Sequence, residues 1–419
     1  MTKKFLTLDD FDLEDKTVLI RVDINSPIDP ATGKFLDETR IQECTNTINK
    51  LSNTKLAVIA HQSNPGKKDF TSLEEHAKIL EKHVKRKVKF VDDLFGSKAR
   101  DAIKSMKKGD IILLENCRFY SEEISLADKP IETQKKSHIV KKLSPLADYF
   151  VNDAFAAAHR SQPTLTGFSE TIPMLTGVLL ERELTMLGKA VEGAKRPTIA
   201  ILGGAKVDDS VDVALNMLKN GIADKILTTG VVANMFMYVN GTDIGKPNVE
   251  FMKKELGDFD ETVAMTKEVL GSYKEKILMP IDVALNDNEQ RKEIPISKLP
   301  TDKPIFDLGK NTISEYIHEI KRAGTTILNG PAGVFETDAF SAGTYELFKA
   351  VANSKGYSVM GGGHTGVIVE KLNLAKGIGH VSTGGGACLS FLAGKKMPVV
   401  EALKRSKQLY DEGYFKKKP

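Results

Sequence analysis

The sequence predicts an α/β protein made of two doubly wound, Rossmann-like domains, each with a parallel sheet, joined by a bridging helix and a hinge. Three observations carry that expectation. Short β-branched runs alternate with segments of helical periodicity along the whole chain, which is the order that produces parallel sheets. A chain of 419 residues exceeds what one core usually organises. Near its middle, a helically spaced segment ends in Gly193-Ala194-Lys195-Arg196-Pro197, a break after which the strand rhythm starts again.

Taken in order, residues 17–22, 56–60, 88–91, 111–114 and 149–151 read as buried strands. Between the first two, Ile41, Cys44, Ile48 and Leu51 mark one helix face. Ser72 and Glu75 have the spacing of a capping box, opening a helix whose Leu73, Ala77, Leu80 and Val84 form an apolar stripe. Leu180, Leu184, Leu187 and Val191 mark the bridging helix. The second half continues with strands near 198–202, 225–228, 276–279, 325–328 and 357–360.

Composition removes several classes. Apolar residues make up 41% and charged residues 28%, with Gly and Pro dispersed, so collagen-like and disordered chains are excluded. The longest uncharged runs, 226–242 and 377–394, are broken by Gly, Ser, Thr and Asn, and no membrane span is expected. Residues 1–15 lack the apolar core of a secretory signal and the arginines of a mitochondrial one, so the expected compartment is the cytoplasm. Cys44, Cys117 and Cys388 are far apart and odd in number, against disulfides and against zinc. The 60 basic and 56 acidic residues leave a net charge of +4, and the one basic run, 416–418, is terminal; no nucleic-acid partner is expected.

Polar residues collect after the strands. In the first half these are Asp23-Ile24-Asn25-Ser26-Pro27, His61-Gln62-Ser63-Asn64-Pro65, Glu115-Asn116-Cys117-Arg118, Asn152-Asp153 and His159-Arg160. Strand C-terminal ends form the ligand crevice of an open α/β sheet, so Arg21, Arg40, Arg118, Arg160, His61 and His159 are expected to converge there. Several guanidinium forks in one crevice suit a phosphate or a carboxylate. In the second half the strand ends are glycine-rich: Gly203-Gly204-Ala205-Lys206, Gly230, Asn329-Gly330-Pro331-Ala332-Gly333-Val334-Phe335-Glu336, Gly361-Gly362-Gly363-His364-Thr365 and Ser382-Thr383-Gly384-Gly385-Gly386. Five such loops point to a nucleotide, whose phosphates need close backbone N–H groups and helix N-termini. Gly361-x-Gly363-x-x-Gly366 matches a dinucleotide fingerprint, but no Asp or Glu occurs across 377–394, where a ribose-binding acid belongs about 20 positions on. P-loop, protein-kinase, G-x-S-x-G and H-E-x-x-H signatures are absent from the sequence. An NAD-dependent dehydrogenase and a non-catalytic nucleotide-binding scaffold are the alternative readings.

With Arg21-Val22-Asp23-x-Asn25-x-Pro27, Glu115-Asn116-x-Arg118-Phe119, Val151-Asn152-Asp153-Ala154-Phe155, Gly203-Gly204-Ala205-Lys206, Asn329-Gly330-Pro331-x-Gly333-Val334-Phe335-Glu336 and His380-Val381-Ser382-Thr383-Gly384-Gly385-Gly386 in this order, the chain resembles the phosphoglycerate kinase family over essentially its full length, and its archaeal branch most. The resemblance implies a two-domain hinge enzyme that moves a phosphoryl group reversibly between 1,3-bisphosphoglycerate and ADP. It implies a 3-phosphoglycerate-binding domain over 1–178, an interdomain helix over 179–193, a nucleotide-binding domain over 194–397, and a tail, 398–419, packed back on the first domain. Asp23, Ile24, Asn25, Gln62, Ser63 and Asn64 would border the glycerate, while Arg40, His61, Arg118 and Arg160 would contact its phosphate or carboxylate. Arg40, Lys206 and the backbone of Gly384, Gly385 and Gly386 would serve the group in flight. Gly203, Lys206, Gly230, Asn329, Pro331, Val334, Glu336, Gly362, Gly363, His364 and Thr365 would hold ADP or ATP with Mg²⁺. The implied partners are these small molecules, with a monomer expected and a dimer as the alternative. Three departures stand out: Asn64 where the family usually has Arg, His364 where many members have a metal-binding Asp, and Ser210 where a second lysine is common. The metal's protein ligand is left open.

Overall fold

The computed structural model describes residues 4–363 and 365–417. The chain divides into two compact units, one running to Leu184 and resuming at Lys396, the other spanning Thr185–Lys395.

The first unit is built on β1 (Thr17–Arg21), β2 (Lys55–Ile59), β3 (Val88–Val91), β4 (Ile111–Leu114), β5 (Tyr149–Asn152) and β6 (Met174–Thr176). They pair in parallel in the order β3-β4-β2-β1-β5-β6. Successive residues Val18, Leu19 and Ile20 are all fully buried, as strands covered by helices on both faces must be. The chain winds from β1 towards β3 on one side and reaches β5 and β6 on the other. The switch point therefore falls between β1 and β5, where the loops leaving the two strands part and open a crevice.

The second unit repeats the plan with β7 (Thr198–Leu202), β8 (Lys225–Thr228), β9 (Ile277–Leu278), β13 (Thr325–Asn329), β14 (Tyr357–Gly361) and β15 (His380–Val381), in the order β15-β14-β13-β7-β8-β9, again parallel. Its switch point lies between β7 and β13. A separate antiparallel sheet, β11-β10-β12, comprises β10 (Asp282–Asp287), β11 (Gln290–Pro295) and β12 (Ile305–Leu308). These three strands were not among those expected from the sequence. Their hairpin turns through Asn288 and Glu289, both left-handed at φ 53° and 68°, without the Asn-Gly pair that usually announces such a turn.

The capping-box expectation is corrected. The helix Glu74–Val84 has Leu73 as its N-cap; Ser72 Oγ accepts the Glu74 N–H at 3.3 Å, but Glu75 does not complete a reciprocal box. Glu115 takes that part from the end of β4, accepting the Leu73 N–H at 3.0 Å and the Ser72 hydroxyl at 2.7 Å, while Glu75 pairs with Lys78. A buried carboxylate brought by the fold outcompetes the local pattern. The helical stripes are as the periodicity implies: Ile41, Cys44, Ile48, Leu51, Leu73, Ala77, Leu80 and Val84 all join the first unit's core.

The helix Val178–Val191 begins in the first unit and ends in the second. Asp153, fully buried beyond β5, holds its first turn by accepting the Leu180 N–H at 3.1 Å. The helix Pro398–Asp411 returns to the first unit, where Ser406 Oγ accepts the Met174 N–H at 2.8 Å and Tyr410 meets Phe11 edge to face at 5.1 Å. Gly177 makes the Asp153 cap possible, because a Cβ there would lie 2.2 Å from Asp153 Oδ1 and 2.6 Å from its Cβ. Gly177→Ala should therefore lower unfolding free energy by about 1–3 kcal/mol, the usual cost of overpacking. Urea titration measures this, and an unchanged midpoint would show that the helix start moves aside freely.

Candidate active site

The crevice at the β1/β5 switch point gathers the cations that the sequence spreads over 140 positions. His61, just beyond β2, is the centre. Burial first, then Arg21, Arg118, Arg160 and Arg40, in that order, push its pKa well below the usual value, so the ring is neutral at physiological pH. Four guanidinium groups thus act on one imidazole. Arg21 is fully buried and Arg118 nearly so; burial, then Arg160 and Arg21, bring the pKa of Arg118 down to about 10, which still leaves it protonated. Arg160 is exposed, and Arg40 is half-buried with one carboxylate partner, Asp23 Oδ2, at 3.2 Å.

The loops that present these groups are fastened to one another. Asn25 Oδ1 accepts the Ser63 N–H at 2.8 Å, and Ser63, at φ 57°, sends its hydroxyl to Asp69. Arg118 Nη1 donates to the Ser63 carbonyl at 2.7 Å and to Asn64 Oδ1 at 2.8 Å. Asn64, read from the sequence as a departure from the family pattern, therefore orients Arg118 here. Gln62 is fully buried and spends its amide on Ser26 N–H, Ser26 carbonyl, Asp69 carbonyl and His76 Nε2, so it ties the loops. Ile24 packs its side chain in the apolar core. His159 has a buried Nδ1 without a partner, its pKa lowered by burial and then by Arg160. Sequence reasoning missed Asp69, Glu123 and Thr164, ordinary residue types whose importance lies in what they touch.

In the second unit a cavity of about 690 Å³ opens at the β7/β13 switch point. Gly203, Lys206, Gly230, Asn329, Pro331, Val334, Glu336, Gly362, Gly363, Gly385 and Gly386 all line it. The loops after β7 and β13 abut so closely that a Cβ on Gly203 would sit 2.1 Å from Thr229 Oγ1 and 2.4 Å from the Pro331 carbonyl. The helices Val207–Lys219, Gly230–Val239 and Gly385–Leu392 all start at this cavity, with their positive dipole ends towards it. Behind the lining, Thr365 gives its hydroxyl to the Gly361 carbonyl, and Gly384 donates its N–H to Ser382 Oγ at 3.3 Å. His364 lies outside the described residues. Met237, Pro247, Phe251 and Ile305 form an apolar end that was not expected from the sequence, because they come from a helix pair and the extra sheet. Among the described residues no three His, Cys, Asp or Glu side chains cluster as a metal site. Residues with oxygen donors nevertheless line the cavity, among them Asp209 and Asn329, whose Oδ1 is buried and unpartnered.

Fold and sites together define a two-unit α/β protein with an arginine-rich crevice in one unit and a glycine-lined cavity in the other, features that fit a phosphotransferase. The comparisons with known proteins agree. A family model described as phosphoglycerate kinase matches residues 8–395. The chain is 46% identical over 411 residues to the phosphoglycerate kinase of Methanothermus fervidus, covering 98% of this chain and 99% of that one. It is 50% identical over 406 residues to that of Methanobacterium bryantii, covering 96% and 98%. The crystal structure of the Pyrococcus horikoshii OT3 phosphoglycerate kinase superposes with a TM-score of 0.88 at 42% identity, covering 96% of this chain and 99% of that one. The chain belongs to the phosphoglycerate kinase family and is a kinase, not a nicotinamide-dependent dehydrogenase.

His76 gives the loop network a pH dependence. Its pKa is lowered to about 4 by burial, against an unfolded value near 6.5. As pH falls from 6.5 towards 4 the unfolded chain takes up the proton first, so the folded state loses stability on the order of 3 kcal/mol across that window. Urea titrations at pH 7, 5.5 and 4.5 should show this loss, and His76→Leu should reduce it, the buried His61 contributing the remainder. A variant with the same slope as wild type would place the acid sensitivity elsewhere.

Proposed function

We propose that the two units divide the family's reaction between them, the first holding 3-phosphoglycerate or 1,3-bisphosphoglycerate and the second holding ADP or ATP with Mg²⁺. The convergence of four arginines on a neutral His61, against only two carboxylates, Asp23 at Arg40 and the buried Glu123 near Arg21 and Arg118, is the observation that carries this reading. Such a face is short of negative charge, and a phosphate or carboxylate ligand supplies it through paired charge-assisted hydrogen bonds. In this assignment Arg118, Arg160 and His61 bind the anionic groups, Asp23 and Asn25 meet the glycerate hydroxyl, and Ser63 and Asn64 hold the loop. Glu336 takes the ribose hydroxyls, and Gly230, Pro331 and Val334 flank the nucleotide.

The acceptor is a carboxylate, with an unperturbed pKa of roughly 3.5, so it is already ionised at neutral pH and needs no general base. The work left is positioning and charge neutralisation. Arg40 and Lys206 supply fixed positive charge to the oxygens of the phosphoryl group, and the N–H groups of 384–386 supply donors that need no reorganisation. Mg²⁺, when bound with the nucleotide, neutralises phosphate oxygens; Asp209 and Asn329 Oδ1 fit a hard cation that keeps most of its ligands as phosphate oxygen and water. Because acyl phosphates hydrolyse readily, the donor and acceptor must be held together away from water. Each half-site is built within one unit of one chain, which supports action as a monomer. The three free, buried cysteines suit a reducing compartment such as the cytoplasm.

The test is formation of acyl phosphate from 3-phosphoglycerate and ATP, read through a coupled nicotinamide assay. Activity should need both substrates and disappear on chelation of magnesium. Lys206→Ala should lower kcat about 10²–10³-fold, as loss of one preorganised donor does, while leaving the fold intact. A near-normal kcat would take Lys206 out of the catalytic set.

A further inference from the structure

Behind the anion face lies a chain of buried polar groups that the transfer itself does not use. Arg21 ends β1, and its Nε donates to Thr164 Oγ1 at 3.1 Å, its Nη1 donates to the Val22 carbonyl, and its Nη2 stands 2.9 Å from His61 Nδ1. Thr164, in the short helix Pro163–Thr166, donates its hydroxyl proton to Glu123 Oε1 at 2.6 Å, and its N–H to Glu123 Oε2 at 3.0 Å. Arg21, Thr164 and Glu123 are all 0% exposed. Strand β1, the loop after β2 and two short helices are thus joined by buried polar side chains.

The chain has a direction. A guanidinium offers only donors, so both the contact to Thr164 Oγ1 and the contact to His61 Nδ1 must be N–H pointing at a lone pair. Glu123, accepting both Thr164 protons, leaves the threonine oxygen free to accept from Arg21. Nδ1 of His61 therefore carries no proton, and a neutral ring with a bare Nδ1 has its proton on Nε2. The four surrounding arginines oppose a second proton on the ring. His61 has no other hydrogen bond among the described residues, and its Nε2 is not among the buried unpartnered atoms. That N–H is left for a ligand.

We propose that Glu123, Thr164 and Arg21 form a one-way hydrogen-bond relay that locks His61 as the neutral Nε2–H tautomer, a fixed donor to the glycerate ligand. The proposal rests on reading this face as the glycerate site. Glu123 and Thr164 are positioning residues, acting through Arg21. A fifth cation beside four arginines would cost more than it contributes, whereas a neutral donor adds a directed hydrogen bond without adding charge. Without the relay the imidazole is free to take either tautomer, and its Nδ1–H form presents a lone pair at Nε2 to an anion.

The experiment is a proton–nitrogen correlation spectrum of histidine-labelled, ligand-free protein between pH 5.5 and 8, with His61 assigned from the signals lost in His61→Asn. Michaelis constants for the glycerate substrate and for ATP are determined on the same preparations. Wild type should show a single Nε2–H tautomer that does not titrate. Thr164→Val and Glu123→Gln should each show mixed tautomers and weaken the Michaelis constant for the glycerate substrate about tenfold, the scale of one charge-assisted hydrogen bond, with that for ATP unchanged. Thr164→Ser keeps the hydroxyl and should restore both readouts, which a merely structural role for the threonine methyl would not allow. An Nδ1–H tautomer in wild type, or an unaltered His61 signal in folded Thr164→Val, would overturn the relay. Mixed tautomers with an unmoved Michaelis constant would uphold the relay and overturn the assignment of the glycerate to this face.

Discussion

Parallel strands can be joined only by crossovers, and every crossover returns the chain to the same edge of the sheet, so all strand C-termini end on one side. The rest of this protein depends on that constraint. In each unit the order of strands reverses once, between β1 and β5 and between β7 and β13, and at the reversal neighbouring loops must leave in opposite directions. At these strand ends Asn25 and Ser63 come together in one unit, and Gly203 and Pro331 come together in the other. Chemistry follows topology here because no other edge of either sheet collects so many loop ends.

The same plan is used for opposite electrostatic ends. In the first unit side chains carry the charge, and crowding them has a cost that the fold absorbs through its own acceptors: Asp23 for Arg40, Ser63 and Asn64 for Arg118, Thr164 and Val22 for Arg21. In the second unit the backbone carries it. Helix starts at Val207, Gly230 and Gly385 provide donors with no side chain to order, and glycine is required where loops from β7 and β13 touch. Rigid guanidinium forks suit a compact anionic group, whereas a row of backbone N–H groups suits an extended chain of phosphates.

Asn64 and the Glu115 cap show why reading residue types alone falls short. As a missing arginine, Asn64 looks like a weakened substrate contact; in the structure it accepts from Arg118 and sets where that guanidinium points. Ser72 and Glu75 have the spacing of a cap, yet the cap is Glu115, forty-two positions from the N–H it accepts. The β10-β11-β12 sheet was likewise silent, because its strands mix charged and apolar residues and its turn uses Asn288 and Glu289 in place of glycine.

What the sequence by itself determined is everything written in local periodicity and in ordered motifs: five of the six strands in each parallel sheet, all but the short edge strands β6 and β15, together with the bridging helix, the cation-bearing loops and the glycine loops. Burial of a strand or a helix face leaves a regular trace in neighbouring positions, and glycine at a loop marks a backbone that must come close. What only the tertiary structure decided is which distant groups face each other: Glu123 with Thr164, Thr164 with Arg21, Arg21 with His61, and Met237 with Ile305 around one cavity. These pairings have no period and no spacing rule, since hydrogen bonds and cavity walls depend on distance in space, and that distance is fixed only when the sheet has chosen the order of its strands.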